Sequence, residues 1–279
     1  MIRRNETGLT ILGYALAVLL AVCGGTGIFV PGFYEPWLER YGLAYSQVFV
    51  QDVVSLALAP ILAIAIARAR RGSYPALVVW AGISLFAAYY FSFYGMDKLA
   101  TPLYPAYLAV IGLGFYSLAG LLSAVDPEDA AARAPSRAAP RFGAAVLGMT
   151  GLFVPLWTIL VIRMIRTTVV EPAATVFLLD LSFLIPAALY AAVMLWRRRP
   201  EGWFLGSVLL FKSFVSGILL SGGTLWDAFA GRAWDPAQLG LYLFLAGAGG
   251  AAFLSLTTGF ARESRNAAAA RRGGSPAAR

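Results

Sequence analysis

Asp52, Asp180 and Lys212 are charged residues set inside long apolar runs, and they are where chemistry or recognition is to be expected in this chain. A charge inside a membrane-length helix costs about 2.5 to 3.5 kcal/mol on insertion scales, so each needs a partner or a ligand. Asp52 lies in QVFVQDVVSLALAPILAIAIARARR and Asp180 in VFLLDLSFLIPAALYAAVMLWRRR, each eighteen residues ahead of an arginine, Arg70 and Arg198. At 1.5 Å per residue, both carboxylates stand about 27 Å above the basic boundary, near the far edge of a hydrocarbon core about 30 Å thick. Lys212 follows Arg199 by thirteen residues, about 20 Å up, and its flexible stem can lift the ammonium toward that level.

Other polar side chains collect at the same height. FAAYYFSFYGM supplies Tyr89, Tyr90 and Tyr94, Gln51 adds an amide beside Asp52, and Arg163 and Arg166 close the fifth apolar run. If these face inward, they line an outward-facing polar pocket for a small solute, an ion or a lipid headgroup, with Lys212 and Asp180 the first pairing expected. The alternative is structural: two aspartates and one lysine can lock helices together, as in an accessory membrane subunit. The tyrosines then form an interfacial aromatic belt, and Arg163 and Arg166 snorkel to headgroups or pair with Glu171.

The residues that are scarce exclude much chemistry. The chain has no histidine and a single cysteine, Cys23, so haem, structural zinc, internal disulfides and Ser/His/Asp catalysis are poor fits, and no cofactor or metal is expected. A membrane enzyme using Asp52 or Asp180 as base on a lipid-linked substrate lacks a phosphate-binding pattern, so a non-enzymatic role is expected. Lys212 in LLFKSFVSGILL resembles a retinal-binding lysine, but the third run has no mid-depth carboxylate as counter-ion and the number of spans is one too many.

The elements that must carry these residues follow from composition. With 279 residues, 59% hydrophobic and 13% charged, and a mean hydropathy of +0.73, the sequence reads as all-α, a polytopic transmembrane bundle of about eight helices. The spans are expected over residues 9–30, 46–67, 75–94, 102–124, 142–165, 173–196, 204–221 and 239–260. With both termini cytoplasmic, sixteen of the 22 basic residues fall on the inner side, which predicts a multi-pass protein of the bacterial inner membrane. The net charge of +8 sits in short clusters that orient helices, so the lipid bilayer and not nucleic acid is the expected partner. LLAVC near Cys23 resembles a lipoprotein cleavage site, but Val22 is bulky there and an uncleaved first helix is the better reading.

Residues 1–124 form a first four-helix half, 125–141 a cytoplasmic linker rich in Ala, Pro and charge, 142–260 a second half, and 261–279 a disordered basic tail. The matched Asp-to-Arg intervals suggest an internal repeat of two parallel four-helix units. Small residues in LAGAGGAAF, and Gly24, Gly25 and Gly27, should permit close helix contact. Pro60 and Pro186 should disturb their helices.

FVQDVVSLALAPILAIAIARARRGSYPALVVWAG, YYFSFYGM and FLLDLSFLIPAALYAAVMLWRRRPEGW resemble an uncharacterised family of bacterial multi-pass membrane proteins. The resemblance implies the topology and the importance of Gln51, Asp52, the Tyr89 to Tyr94 cluster and Asp180, and implies no activity.

Overall fold

The structure, a computed structural model, describes residues 6–41, 45–96, 99–126, 139–170 and 174–273. Among the described residues the chain is helical, with no strand. In order, the elements are α1 (Glu6–Phe29), α2 (Glu35–Tyr41), α3 (Tyr45–Arg70), α4 (Tyr74–Met96), α5 (Tyr104–Ala124), α6 (Ala139–Gly148), α7 (Phe153–Thr167), α8 (Ala174–Leu179), α9 (Ile185–Trp196), α10 (Pro200–Phe229) and α11 (Pro236–Gly273). Among the described residues, eight stretches are long and apolar enough to cross a membrane: α1, most of α3, α4, α5, Ala139–Thr167, Ala174–Trp196, α10 and the first part of α11. The eight-helix bundle expected from the sequence is present.

Two of these stretches are not single α-helices. A 3-10 turn, Met149–Leu152, joins α6 to α7, and a π-helical turn, Asp180–Leu184, joins α8 to α9. Proline explains the second. Pro186 has no N–H to offer the preceding turn, and the widening just before it absorbs the missing bond, with the Ile185 N–H reaching back five residues to the Asp180 carbonyl. Pro60 sits inside α3, which stays α-helical from Tyr45 to Arg70.

Packing is uneven, and the unevenness places the site. In α4 and α10, 72% of the central residues are buried, against 6% in the fifth stretch, whose α7 buries none. α1 packs on α3, α4 on α5 and α10 on α11, while α10 also lies against α3 and α4. The seventh stretch thus joins the first four helices, and the middle of the molecule is the α4 and α10 pair. Small residues allow these contacts: a Cβ on Gly24 would stand 2.5 Å from the Asp52 carbonyl oxygen, and one on Gly217 would meet the Ala246 backbone on α11.

Arg70 faces Glu6 at 3.8 Å, which sets the start of α1 beside the end of α3 and defines a basic end of the bundle. At the far end, the Ser46 hydroxyl donates to Asp227 (2.9 Å) and Arg232 pairs with the same carboxylate (3.1 Å), tying the start of α3 to the end of α10. Most of the expected linker, residues 127–138, lies outside the described residues, as do residues 274–279. α11 continues to Gly273, into the stretch read from the sequence as a disordered tail, where the alanine run has high helix propensity.

Candidate functional site

Asp52 is carried on α3 at the contact with α1, with no exposure at all. Gly27 of α1 makes room for it, because a Cβ there would overlap Asp52 Oδ2. The Tyr34 hydroxyl, from the turn between α1 and α2, donates to Oδ2 at 2.7 Å. Tyr94, near the end of α4, reaches Oδ1 at 3.1 Å and shares its proton with the Val48 carbonyl, also at 3.1 Å. Behind Tyr34, the Tyr107 hydroxyl stands at 3.5 Å and accepts from Thr101 at 3.1 Å. Because the single proton of Tyr34 goes to Asp52, Tyr107 must donate to Tyr34, and the whole chain of hydroxyls points its protons at the carboxylate. Burial first, and then the field of Asp52, raise the Tyr34 hydroxyl well above its ordinary pKa, so it remains a donor. Next to Asp52, the Gln51 amide donates to the Tyr90 carbonyl on α4 at 3.1 Å.

Asp180 opens the π-helical turn of the sixth stretch and is half-buried. The Tyr89 hydroxyl of α4 donates to its Oδ1 at 2.6 Å, and the indole N–H of Trp157 on α7 donates to its Oδ2 at 3.0 Å. Phe177 packs on the Trp157 ring at 5.0 Å and holds the indole in place. Lys212 of α10, 5% exposed, sets its ammonium 3.6 Å from the centre of the Tyr89 ring and 5.5 Å from that of Tyr90. The lysine therefore meets the face of the tyrosine whose hydroxyl holds the carboxylate. A ring quadrupole supplies attraction without a hydrogen-bond acceptor, so the three ammonium donors have no acceptor among the described residues. The hydroxyl of Ser216, one helical turn further along α10, is also buried, near the Tyr90 hydroxyl but without a well-formed hydrogen bond among the described residues.

These contacts alter the expected arrangement in three ways. The direct Lys212 to Asp180 ion pair is replaced by Tyr89, which stands between them. The carboxylates do not line one shared cavity either, since α4 separates them: Tyr94 serves Asp52 and Tyr89 serves Asp180. Five residues on a helix turn the direction by about 140° and shift the height by about 7.5 Å, so the two aspartates are reached from different faces and depths of α4. Finally, Asp52 sits on a continuous α-helix and Asp180 on a π-helical turn, so the local geometry gives no support to an internal repeat. Among the remaining candidates, Gln51, Tyr89, Tyr90 and Tyr94 are all in contact with one cluster or the other. Arg163 is exposed on α7 and is not among the partners of either carboxylate.

Four partners escape a search for charges. Tyr34 lies in a connecting turn, Thr101 and Tyr107 are neutral and Trp157 belongs to the least buried stretch. Counting helix rise from the basic end places Trp157 near the level of Asp180, since Arg141 to Trp157 spans sixteen residues, about 24 Å.

Fold and site together define a multi-pass helical membrane protein with two polar clusters at one end of its core. No family model, curated protein or solved structure matches the chain.

Proposed function

We propose that the chain is a non-enzymatic binding or transport protein of the bacterial inner membrane, with both termini cytoplasmic. The cluster of Asp180, Tyr89 and Lys212 receives a small solute, an ion or a lipid headgroup from the outward-facing end. Lys212 carries this reading: a buried ammonium that faces a ring, has its nearest carboxylate behind that ring and has no hydrogen-bond acceptor among the described residues is costly unless something else supplies one. Asp180 beside it is only half-buried. The test is uptake by proteoliposomes from a defined mixture of amino acids, organic acids and inorganic ions, read by mass spectrometry. Lys212→Met and Asp180→Asn should abolish accumulation of the transported species while each variant still purifies as a folded, monodisperse protein. Unchanged accumulation in both variants would remove the reading.

A structural or accessory role is favoured by one observation, the full satisfaction of Asp52. Its carboxylate has no exposure and spends both oxygens on tyrosines, as a helix clamp does. On that reading, the triple variant Asp52→Asn, Asp180→Asn, Lys212→Met assembles in the membrane and supports whatever activity its partner has.

A further inference from the structure

We infer that the group bound at Lys212 is an oxyanion, a carboxylate or a phosphate; this rests on the binding role proposed above. The ammonium carries a full charge and three N–H donors, and what faces it is the π-cloud of Tyr89 at 3.6 Å. A ring face attracts the charge but leaves the donors unused. Asp180, the nearest carboxylate, is turned to the Tyr89 hydroxyl and the Trp157 indole, and makes no ion pair with Lys212.

Ser216 adds an independent observation. It lies four residues after Lys212, on the same face of α10, and its buried hydroxyl has the Tyr90 hydroxyl as a polar neighbour but makes no well-formed hydrogen bond among the described residues. Cβ atoms at that spacing are about 5 to 6 Å apart, so one planar or tetrahedral oxyanion can accept from both side chains. A cation would be repelled by Lys212. A neutral carbonyl could satisfy one donor and would leave the charge balanced only by Asp180 beyond the Tyr89 ring. An oxyanion satisfies the charge, the ammonium donors and the serine hydroxyl together.

The same chemistry could come from a dissolved carboxylate or phosphate, or from the phosphate of a bilayer lipid. The full chain, purified in detergent and stripped of lipid, is followed by thermal unfolding with four probes. These are sodium acetate, inorganic phosphate, phosphatidylglycerol in mixed micelles with diacylglycerol as its uncharged control, and ethylammonium chloride. A rise in unfolding temperature with acetate or phosphate supports the inference with a soluble source. A rise with phosphatidylglycerol and not with diacylglycerol supports it with a lipid source. In either case Lys212→Met should lose the response, and Ser216→Ala, which removes one oxygen, should weaken the half-saturating concentration by about tenfold.

An anion response of equal size in Lys212→Met overturns the inference. So does a response to ethylammonium alone that is lost in Asp180→Asn, although binding by the cluster would then stand. Failure of every probe, together with unchanged uptake in the Lys212 and Asp180 variants, removes both.

Discussion

Lys212 and Asp180 meet through opposite features of one side chain: the ammonium lies on the Tyr89 ring face at 3.6 Å, and the carboxylate takes the Tyr89 hydroxyl at 2.6 Å. A protein that needed only to neutralise the two charges would bring them into contact. Here the ring keeps them apart, each held by a weaker interaction. The arrangement gives each oxygen of Asp180 a donor but leaves the Lys212 ammonium without an acceptor among the described residues, as a site awaiting a ligand would be.

The two features of Tyr89 can be separated by substitution. Tyr89→Phe keeps the ring under Lys212 and removes the hydrogen bond to Asp180, at a cost of about 1.5 to 3 kcal/mol for a bond to a charged acceptor. Tyr89→Leu removes both and adds the loss of a desolvated cation–π contact, about 2 kcal/mol more. Chemical or thermal unfolding in detergent should therefore rank wild type above Phe and Phe above Leu. Equal effects of Phe and Leu would show that Lys212 gains nothing from the ring.

Gly27 is the residue that lets Asp52 exist where it does. A methyl group there would occupy the place of Oδ2 and stand 2.7 Å from the Tyr34 hydroxyl, so Gly27→Ala must either push α1 from α3 or displace the carboxylate from its donors. The expected loss is about 2.5 to 6 kcal/mol, the range for overpacking combined with a broken charged hydrogen bond. Gly25, with nothing within 4 Å of its would-be Cβ, is the internal control: Gly25→Ala should be neutral or slightly stabilising, because alanine is the better helix former. The comparison is read from unfolding temperatures of the two single variants.

How much of this was legible follows from which residues announce themselves in an apolar sequence. Asp52, Asp180 and Lys212 stand out because a charge in a hydrophobic run is costly, and Tyr89, Tyr90 and Tyr94 because they share one helix end. Their grouping into two clusters was hidden. Helices apolar on all sides give no periodic signal of which face looks inward, so sequence supplies height along a helix and not rotation about it. Height alone put both aspartates in one layer, whereas the rotation of α4 sends Tyr94 to one and Tyr89 to the other. Tyr34 was beyond reach for another reason: a turn residue enters a helix core only by the path of its loop, which no periodicity records. The π-helical turn at Asp180 was foreshadowed by Pro186, though a proline alone does not choose between a kink and a widened turn.

Tyr34 and Asp52 should prove energetically coupled. Tyr34→Phe removes the donor at 2.7 Å and leaves the ring packed among Phe33 and Tyr94, and Asp52→Asn keeps the side chain's shape and removes its charge. A double-mutant cycle built from these two changes should give a coupling of about 1.5 to 3 kcal/mol. A value near zero would mean that Tyr107 and Thr101 compensate for the missing hydroxyl, and the four-member chain would then act as a unit with no dominant pair.

Trp157 offers a way to ask what holds the fifth stretch. α7 buries none of its residues, and one polar tie to the bundle is the indole N–H given to Asp180 at 3.0 Å. Trp157→Phe keeps the aromatic contact with Phe177 and removes that donor, leaving Asp180 with Tyr89 alone. Global stability should then fall by only about 1 to 2 kcal/mol, because α7 contributes no buried core to lose. Local order should change more: in hydrogen exchange of the protein in nanodiscs, amides of Phe153–Thr167 should exchange faster in the variant while those of α4 stay at the wild-type rate. If the indole is instead incidental, both segments will exchange as in the wild type, and the attachment of α7 must come from its apolar side chains in the bilayer.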